Sequence, residues 1–350
     1  MNWFEQPAQL PSAIHRQRAQ QRQQQLTKPP GSLGILETCA IDLAALQQRD
    51  QPTVEKIAIT IFAADHGVAE EGVSAFPQVV TGEMVKNFSA GGAAITVLAR
   101  MLDAKFHVVN VGTVNPLPEL LNVSDRRVAS GTANFCKTAA MSAEQCAQAL
   151  QIGSDTIDKS VGDATGELDL FLGGEMGIAN TTTAAALACA LLQLVPEQIV
   201  GRGTGVDDNG VALKARVVKS ALQKHALQLQ SPFSILQTLG GFEIAALVGA
   251  YIRSAQCGVP VLVDGFICTV AALIALQLNA SIRPWLLFSH CSAERGHRVL
   301  IEHLDVRPLL NLDMRLGEGS GAAVAVPLLQ AACALHNQMA SFASAGVSRE

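Results

Sequence analysis

Aromatic side chains are scarce in this chain, at 4% of 350 residues with a single tyrosine. Large rings therefore cannot fill its core. With 49% hydrophobic residues, aliphatic and small side chains must do so. Such a core suits an α/β protein with many helix–sheet contacts. The length allows one large domain, or one large and one small. Basic charge is not in excess either. A net charge of −5 and a pI of about 5.9 exclude the electrostatic footprint of a nucleic-acid binder and a polybasic membrane patch. Paired cysteines are missing. None of Cys39, Cys136, Cys146, Cys189, Cys257, Cys268, Cys291 and Cys333 forms a C-x-x-C pair, and several lie in apolar runs. They read as free thiols in a reducing compartment. No apolar leader opens the chain, where residues 1–28 are rich in Gln and Arg. The longest apolar run, Thr181–Val195, is too short to span a bilayer. A cytoplasmic protein with no nucleic-acid or membrane partner is expected.

What is present is a series of β-branched runs that end in polar or Gly-rich turns. Residues 56–64 form a continuous apolar run, expected to be a parallel strand buried on both faces, and it ends in Asp65-His66-Gly67. Further strands are expected at 106–112, 168–172, 259–263 and 285–288, with one ending at Gly201 and a weak edge strand or loop at 128–135. Helical patterns alternate with them. This alternation predicts right-handed crossovers and a parallel sheet that gathers its turns along one edge, where open α/β sheets place ligands. The Gln-rich stretch 5–26 reads as an exposed helix, with Leu10, Ile14 and Leu26 packing on another element or subunit. The tail beyond Ala343 is expected to fray.

Candidate chemistry lies in those turns. Residues 173–183 (GGEMGIANTTT) join a strand to a helix, the general form of a phosphate cradle, though a tight βα turn would look the same. The spacing matches neither a P-loop nor a dinucleotide fingerprint, so a single phosphate fits better. A second Gly-rich loop spans 200–210, and Lys214 follows it on a helix, either reaching an anion or solvated. Lys28 before Pro-Pro-Gly either contacts an anion or belongs to a structural linker, with Ser32 capping the helix that follows. Asp65-His66 is a hydrogen-bonded pair lining a pocket rather than a metal pair, because no second ligand stands at helical spacing. His290 is an acid or base, or part of a pocket wall. Glu318 sits among glycines in Arg315-Leu316-Gly317-Glu318-Gly319-Ser320-Gly321. An Ala-rich helix, 322–335, follows, with Pro327 acceptable in a first turn. Glu318 is either a solvated loop charge or a base aimed into a pocket. Convergence of Glu318, Glu175, Lys214 and Asp264 at one sheet edge favours the base.

Six motifs in order carry a resemblance: residues 28–34 (KPPGSLG), 64–67 (ADHG), 174–182 (GEMGIANTT), 263–266 (VDGF), Ser289-His290, and 315–321 (RLGEGSG). Together they resemble the nicotinate-nucleotide–dimethylbenzimidazole phosphoribosyltransferases over residues 15–340. The resemblance implies a Rossmann-like parallel sheet flanked by helices, with a smaller helical domain built from both chain ends. The small domain takes 1–50 and about 290–350, and the large α/β domain takes 51–290. Residues 315–321 lie at the junction. It also implies a homodimer without a cofactor or metal, acting on nicotinate mononucleotide and a benzimidazole base. The family's catalytic glutamate falls on Glu318, and Glu175 is the candidate to stabilise charge at the sugar. Phosphate and ribose contacts are expected from Gly174, Gly177, Asn180, Thr181, Gly203, Lys214, Asp264 and Ser292. By position Phe76, Met84 and Leu316 line the benzimidazole pocket. Their apolar character leaves other benzimidazoles, purines or phenols open as acceptors. A nucleoside phosphorylase, an NAD-linked dehydrogenase and a nucleotide sensor are the competing readings. The missing G-x-G-x-x-G weighs against the dehydrogenase, and a sensor has no need of Glu318.

Overall fold

A computed structural model of the protein describes residues 2–162 and 168–348. Six strands form one parallel sheet: β1 (Ile57–Ala64), β2 (Lys105–Gly112), β3 (Val123–Asp125), β4 (Leu170–Met176), β5 (Val261–Val263) and β6 (Leu286–Phe288). Their order is β3-β2-β1-β4-β5-β6. This is the doubly wound Rossmann order, and its switch point lies between β1 and β4. A crevice opens there at the carboxyl ends of the strands.

β1 is apolar along its whole length because both of its faces are covered. Phe62 and Ala64 point into a core shared with helices Ala143–Gly162, Asn180–Leu192, Phe242–Gln256 and Phe266–Leu278. Ile57, Ile59 and Ile61 point the other way, toward helices Ile35–Gln47, Val79–Ala90, Ala94–Met101 and Ser320–Gln338. Alternate residues of one strand thus seal two layers.

The chain ends lie side by side. Arg22 donates to the carbonyls of His336 (2.6 Å) and Asn337 (2.9 Å), and Leu26 bridges Ser341. Leu26 is buried, but Leu10 and Ile14 are 85% and 62% exposed, so the expected packing of those two side chains within the chain is not found. Lys28 is no open anion site. Its Nζ lies 2.8 Å from Glu37 Oε1, which also accepts from the Leu33 amide. The following helix starts at Ile35, with Gly34 rather than Ser32 as its N-cap.

Several expected boundaries are corrected. No strand ends at Gly201. Residues 196–199 form a helical turn, because Pro196 has no N–H for a central ladder and suits a first helical position. The edge strand is Val123–Asp125, not 128–135, and β2 selects it through Val108–Asn110. β4 runs on through Gly173, Gly174 and Glu175, which pair with β1 instead of forming the turn. The Ala-rich helix begins at Ser320, so Pro327 lies in its interior and not in its first turn. There it leaves the Ala323 carbonyl without the usual i→i−4 donor. A short helix, Phe342–Ala345, extends past the expected fraying point, and the last two residues lie outside the described ones.

Two glycines let the helices behind the sheet touch. A Cβ on Gly153 would overlap the Ala246 carbonyl, and one on Gly249 would overlap that of Leu150. Backbone against backbone cannot yield as a flexible side chain does. Gly153→Ala should therefore lower the urea midpoint, at unchanged slope, by an amount equivalent to about 1–3 kcal/mol. An unchanged midpoint would mean that the two helices are not in contact there.

Candidate active site

Glu318 sits on a backbone that side chains rarely accept. Gly317, Glu318 and Gly319 have φ values of 84°, 61° and 71° in succession. Glycine tolerates this region freely, whereas a glutamate there is uncommon. The surroundings hold it in place. Ser320 Oγ–H donates to the Gly317 carbonyl at 2.7 Å. The Gly319 and Ala322 amides donate to Asp264 Oδ2 (3.1 Å) and Oδ1 (2.8 Å). On the other side the loop rests on β4. A Cβ on Gly174 would come within 2.7 Å of the Glu318 carbonyl carbon. Gly174 is therefore a close-approach residue under the loop.

Four carboxyl groups line one cavity of about 330 Å³ at the switch point: Glu175 from β4, Asp264 after β5, Glu294, and Glu318. All are buried. Burial, reinforced by Asp264, raises the Glu318 carboxyl to about 7. Burial raises Glu175 well above the ordinary range, with Glu243 as the next cause, then Asp264 and Glu318; a hydrogen bond from Asn180 Nδ2 opposes the rise. Burial also raises Asp264, opposed by His290 and by amides that include those of Ala322 and Gly319. His290 Nδ1 lies 3.7 Å from Asp264 Oδ1 and 3.1 Å from Ser289 Oγ. Its ring packs against Gly321, where no Cβ would fit.

The opposite wall is built for an anion. After β4 the chain turns through Gly177 and Ile178 into the helix Asn180–Leu192, whose first residues, Asn180 and Thr181, line the cavity. Ala179 starts that helix with φ 76°. Gly177 is pressed onto His66 so that a Cβ would lie 2.9 Å from Nε2. That nitrogen donates to Glu243 Oε1 at 2.7 Å, and Nδ1 lies 2.9 Å from Thr183 Oγ1. His66 is thus a buried support behind the turn rather than a pocket wall. Lys214 stands one layer back. Its Nζ donates to Thr181 Oγ1 at 3.1 Å and lies directly under Gly203. Burial lowers its affinity for a proton, while Glu294 restores part of it.

Of the expected site residues, Glu318, Glu175, Gly177, Asn180, Thr181, Gly203, Asp264, Ser292, Phe76, Met84 and Leu316 all line this cavity. Gly174 lies beneath it and Lys214 behind it. Phe76 and Leu316 are half-exposed at the mouth, whereas Met84 sits deeper, beside Val80. Some contributors carried no recognisable sign in the sequence. Arg315 donates to the Gly203 carbonyl at 3.3 Å, joining the Glu318 loop to the second Gly-rich loop. Thr204 accepts from the Ala75 amide at 3.3 Å, joining that loop to the Phe76 segment. Glu243 directly follows a Gly-Gly-Phe helix start, and only its partner His66 gives it meaning.

A family model described as "Phosphoribosyltransferase" matches residues 8–347. A protein of Xanthomonas euvesicatoria pv. vesicatoria is 57% identical over 99% of both chains, and its name is nicotinate-nucleotide–dimethylbenzimidazole phosphoribosyltransferase. One of Pseudomonas aeruginosa with the same name is 55% identical, over 99% of this chain and 98% of its own. The crystal structure of the enzyme so named from Thermus thermophilus superposes with a TM-score of 0.90 at 42% identity, covering 97% of this chain and all of that one. With the cavity at the Rossmann switch point and similarity along the whole length, the chain belongs to the nicotinate-nucleotide–dimethylbenzimidazole phosphoribosyltransferase family.

Proposed function

We propose that this protein moves 5-phosphoribose from nicotinate mononucleotide to 5,6-dimethylbenzimidazole, with Glu318 as general base. The products are nicotinate and α-ribazole 5′-phosphate, a component of the lower ligand of cobalamin. The observation that carries the base assignment is a buried glutamate, raised to about 7 and facing a cavity with apolar walls at its mouth. A base poised near working pH is the most effective kind.

The chemistry balances as follows. The C1′–N bond of the nucleotide breaks, and its electron pair returns to the pyridinium nitrogen, which leaves as a neutral ring nitrogen without needing a proton. One benzimidazole nitrogen attacks C1′ from the opposite face, so a β-linked donor gives an α-linked product. The other ring nitrogen loses its proton to Glu318. Positive charge builds on the sugar as the bond breaks, as in glycoside cleavage. Glu175, which lines the same cavity, is the carboxyl group assigned to stabilise it. The phosphate is held by the amides after β4, the Gly203 loop and Lys214, with Ser292 and Asn180 toward the ribose. Phe76, Met84 and Leu316 enclose the base. The proposal extends to a cytoplasmic homodimer, and to a small helical domain formed by 1–50 and 290–350 beside the large domain 51–290.

Mixing the protein with nicotinate mononucleotide and dimethylbenzimidazole tests the reaction directly. Nicotinate and an α-ribazole phosphate should appear together, and neither product after full incubation would refute it. Glu318→Gln should lose about 10²–10⁴-fold in kcat at nearly unchanged Tm. Parental turnover by that variant would remove the base assignment. Because the raised carboxyl is protonated below about 7 and useless as a base there, kcat/KM should climb tenfold per pH unit up to about 7 and level off above it. A flat profile through that range would count against Glu318. Lys214→Ala should raise KM for the nucleotide and leave that for the benzimidazole unchanged; equal effects on both would refute phosphate binding.

A further inference from the structure

Asp264 is a buried group in the cavity whose two carboxylate oxygens both accept backbone amides. We infer that Asp264 is a positioning residue: its carboxylate holds the Gly317–Gly319 turn and so aims Glu318 at the acceptor, instead of binding the ribose. The inference rests on Glu318 being the base.

Both oxygens of Asp264 are in use. Oδ2 takes the Gly319 amide and Oδ1 the Ala322 amide, at 3.1 and 2.8 Å. These donors lie just before and within the first turn of the helix Ser320–Gln338, where amides otherwise lack partners. The carboxylate therefore caps the helix from outside, through space, because Gly319 at the N-cap position has no side chain to do so. Directly before Gly319 stands Glu318, held at φ 61°. A strained residue of this kind persists only when its neighbours over-determine it. Three contacts do so here: Asp264 on the amide side, Ser320 on the Gly317 carbonyl, and Gly174 beneath. Of these, only Asp264 carries a charge. It is itself fixed between β5 and the His290 ring, which rests on Gly321. The ionisable groups around the turn are thus Asp264, Glu175 and His290, with Arg315 three residues upstream. Turning Asp264 toward a ribose hydroxyl would strip two buried amides of their acceptor, each at a cost of about 1–3 kcal/mol.

Asp264→Asn removes the charge and sets an NH₂ group against one of the amides. Misplacement of a catalytic group by about 1 Å costs on the order of 10²-fold in rate. The variant should therefore lose about 10–10²-fold in kcat, keep KM for nicotinate mononucleotide within about threefold, and shift the acid limb of its kcat/KM profile to lower pH as Glu318 loses a like-charged neighbour. In Asp264→Ala, added formate should restore kcat. A ribose ligand would behave differently: KM for the nucleotide would rise as kcat falls, and that outcome overturns the inference. The wild-type protein gives a measurement independent of whether either variant folds. Amide exchange at Gly319 and Ala322 should be slow and stay slow when nicotinate mononucleotide binds. Faster exchange at either amide on binding would mean that Asp264 had left the loop for the ligand. Failure here leaves the parent reading intact if Glu318→Gln is still inactive. If Glu318→Gln turns over normally, it is the base assignment that fails.

Discussion

The structure turns on a shortage of compensating charge. Glu175, Asp264 and Glu318 meet in one buried cavity, while Lys214 lies behind the opposite wall and Arg315 is turned to the Gly203 carbonyl. Isolated ionised carboxylates in such a place are expensive, so the groups hold their protons to higher pH than usual. Everything else in the site either fixes this unfavourable cluster in place or prepares the position of its missing counter-charge. Fixing it takes a sheet whose central strands are sealed on both faces, because a cluster of like charges would otherwise separate into water.

The doubly wound order explains how three acids so far apart in sequence meet. β4 lies between β1 and β5, so residues leaving β4 and β5 arrive side by side at the same sheet edge. The third acid comes from a segment that is not a strand. It arrives because the helix Ser320–Gln338 packs across the face of the sheet formed by Ile57, Ile59 and Ile61, and its N-terminus ends over Gly174. A methyl group at Gly174 would lift the loop away from β4. Sheet packing and catalytic geometry are therefore decided at the same backbone contact.

Much of this was legible in the residues. An unbroken apolar run marked β1 to within a residue, because a strand covered on both faces has no freedom to be polar, and the Val-rich run 106–112 marked β2. Glycine clusters marked the loops around Glu175, Gly203 and Glu318. What stayed hidden depended on a partner distant in sequence. Gly173 and Gly174 look like turn residues, yet β1 pairs with them and holds them extended. Val123–Asp125 is too short and too polar to announce itself, and exists as a strand because β2 offers an open edge. Pro327 breaks a helix by local rules, yet the helix runs through it because its buried face holds it in place. Spacing already favoured structure over metal at His66, but its partner, Glu243 in the next layer, was not visible in the sequence. Asp264 read as a polar strand end that converges with Glu318 and contacts the phosphate or ribose. Its hold on the loop appears only when the amides 55 and 58 residues further on are folded over it.

The proposed donor has the charge distribution that this cavity lacks. Nicotinate mononucleotide is cationic at its ring nitrogen and anionic at its phosphate. In the proposed pose the pyridinium lies near Glu175, Asp264 and Glu318, and the phosphate lies toward Thr181, Gly203 and Lys214. Before binding, burial pushes the Glu175 carboxyl well above its ordinary range, toward the protonated form. A cation arriving a few ångströms away reverses that balance, since an opposite charge at such range favours the ionised form. The same arrival favours ionisation of Glu318, making the base available when there is a substrate to use it on. In the proposed reaction, positive charge shifts from the departing ring to the sugar as the glycosidic bond breaks, and Glu175 is the acid proposed to face it. The acids then oppose a charge that has moved toward them, so the attraction is stronger in the transition state than in the bound complex, which is the condition for an interaction to raise kcat.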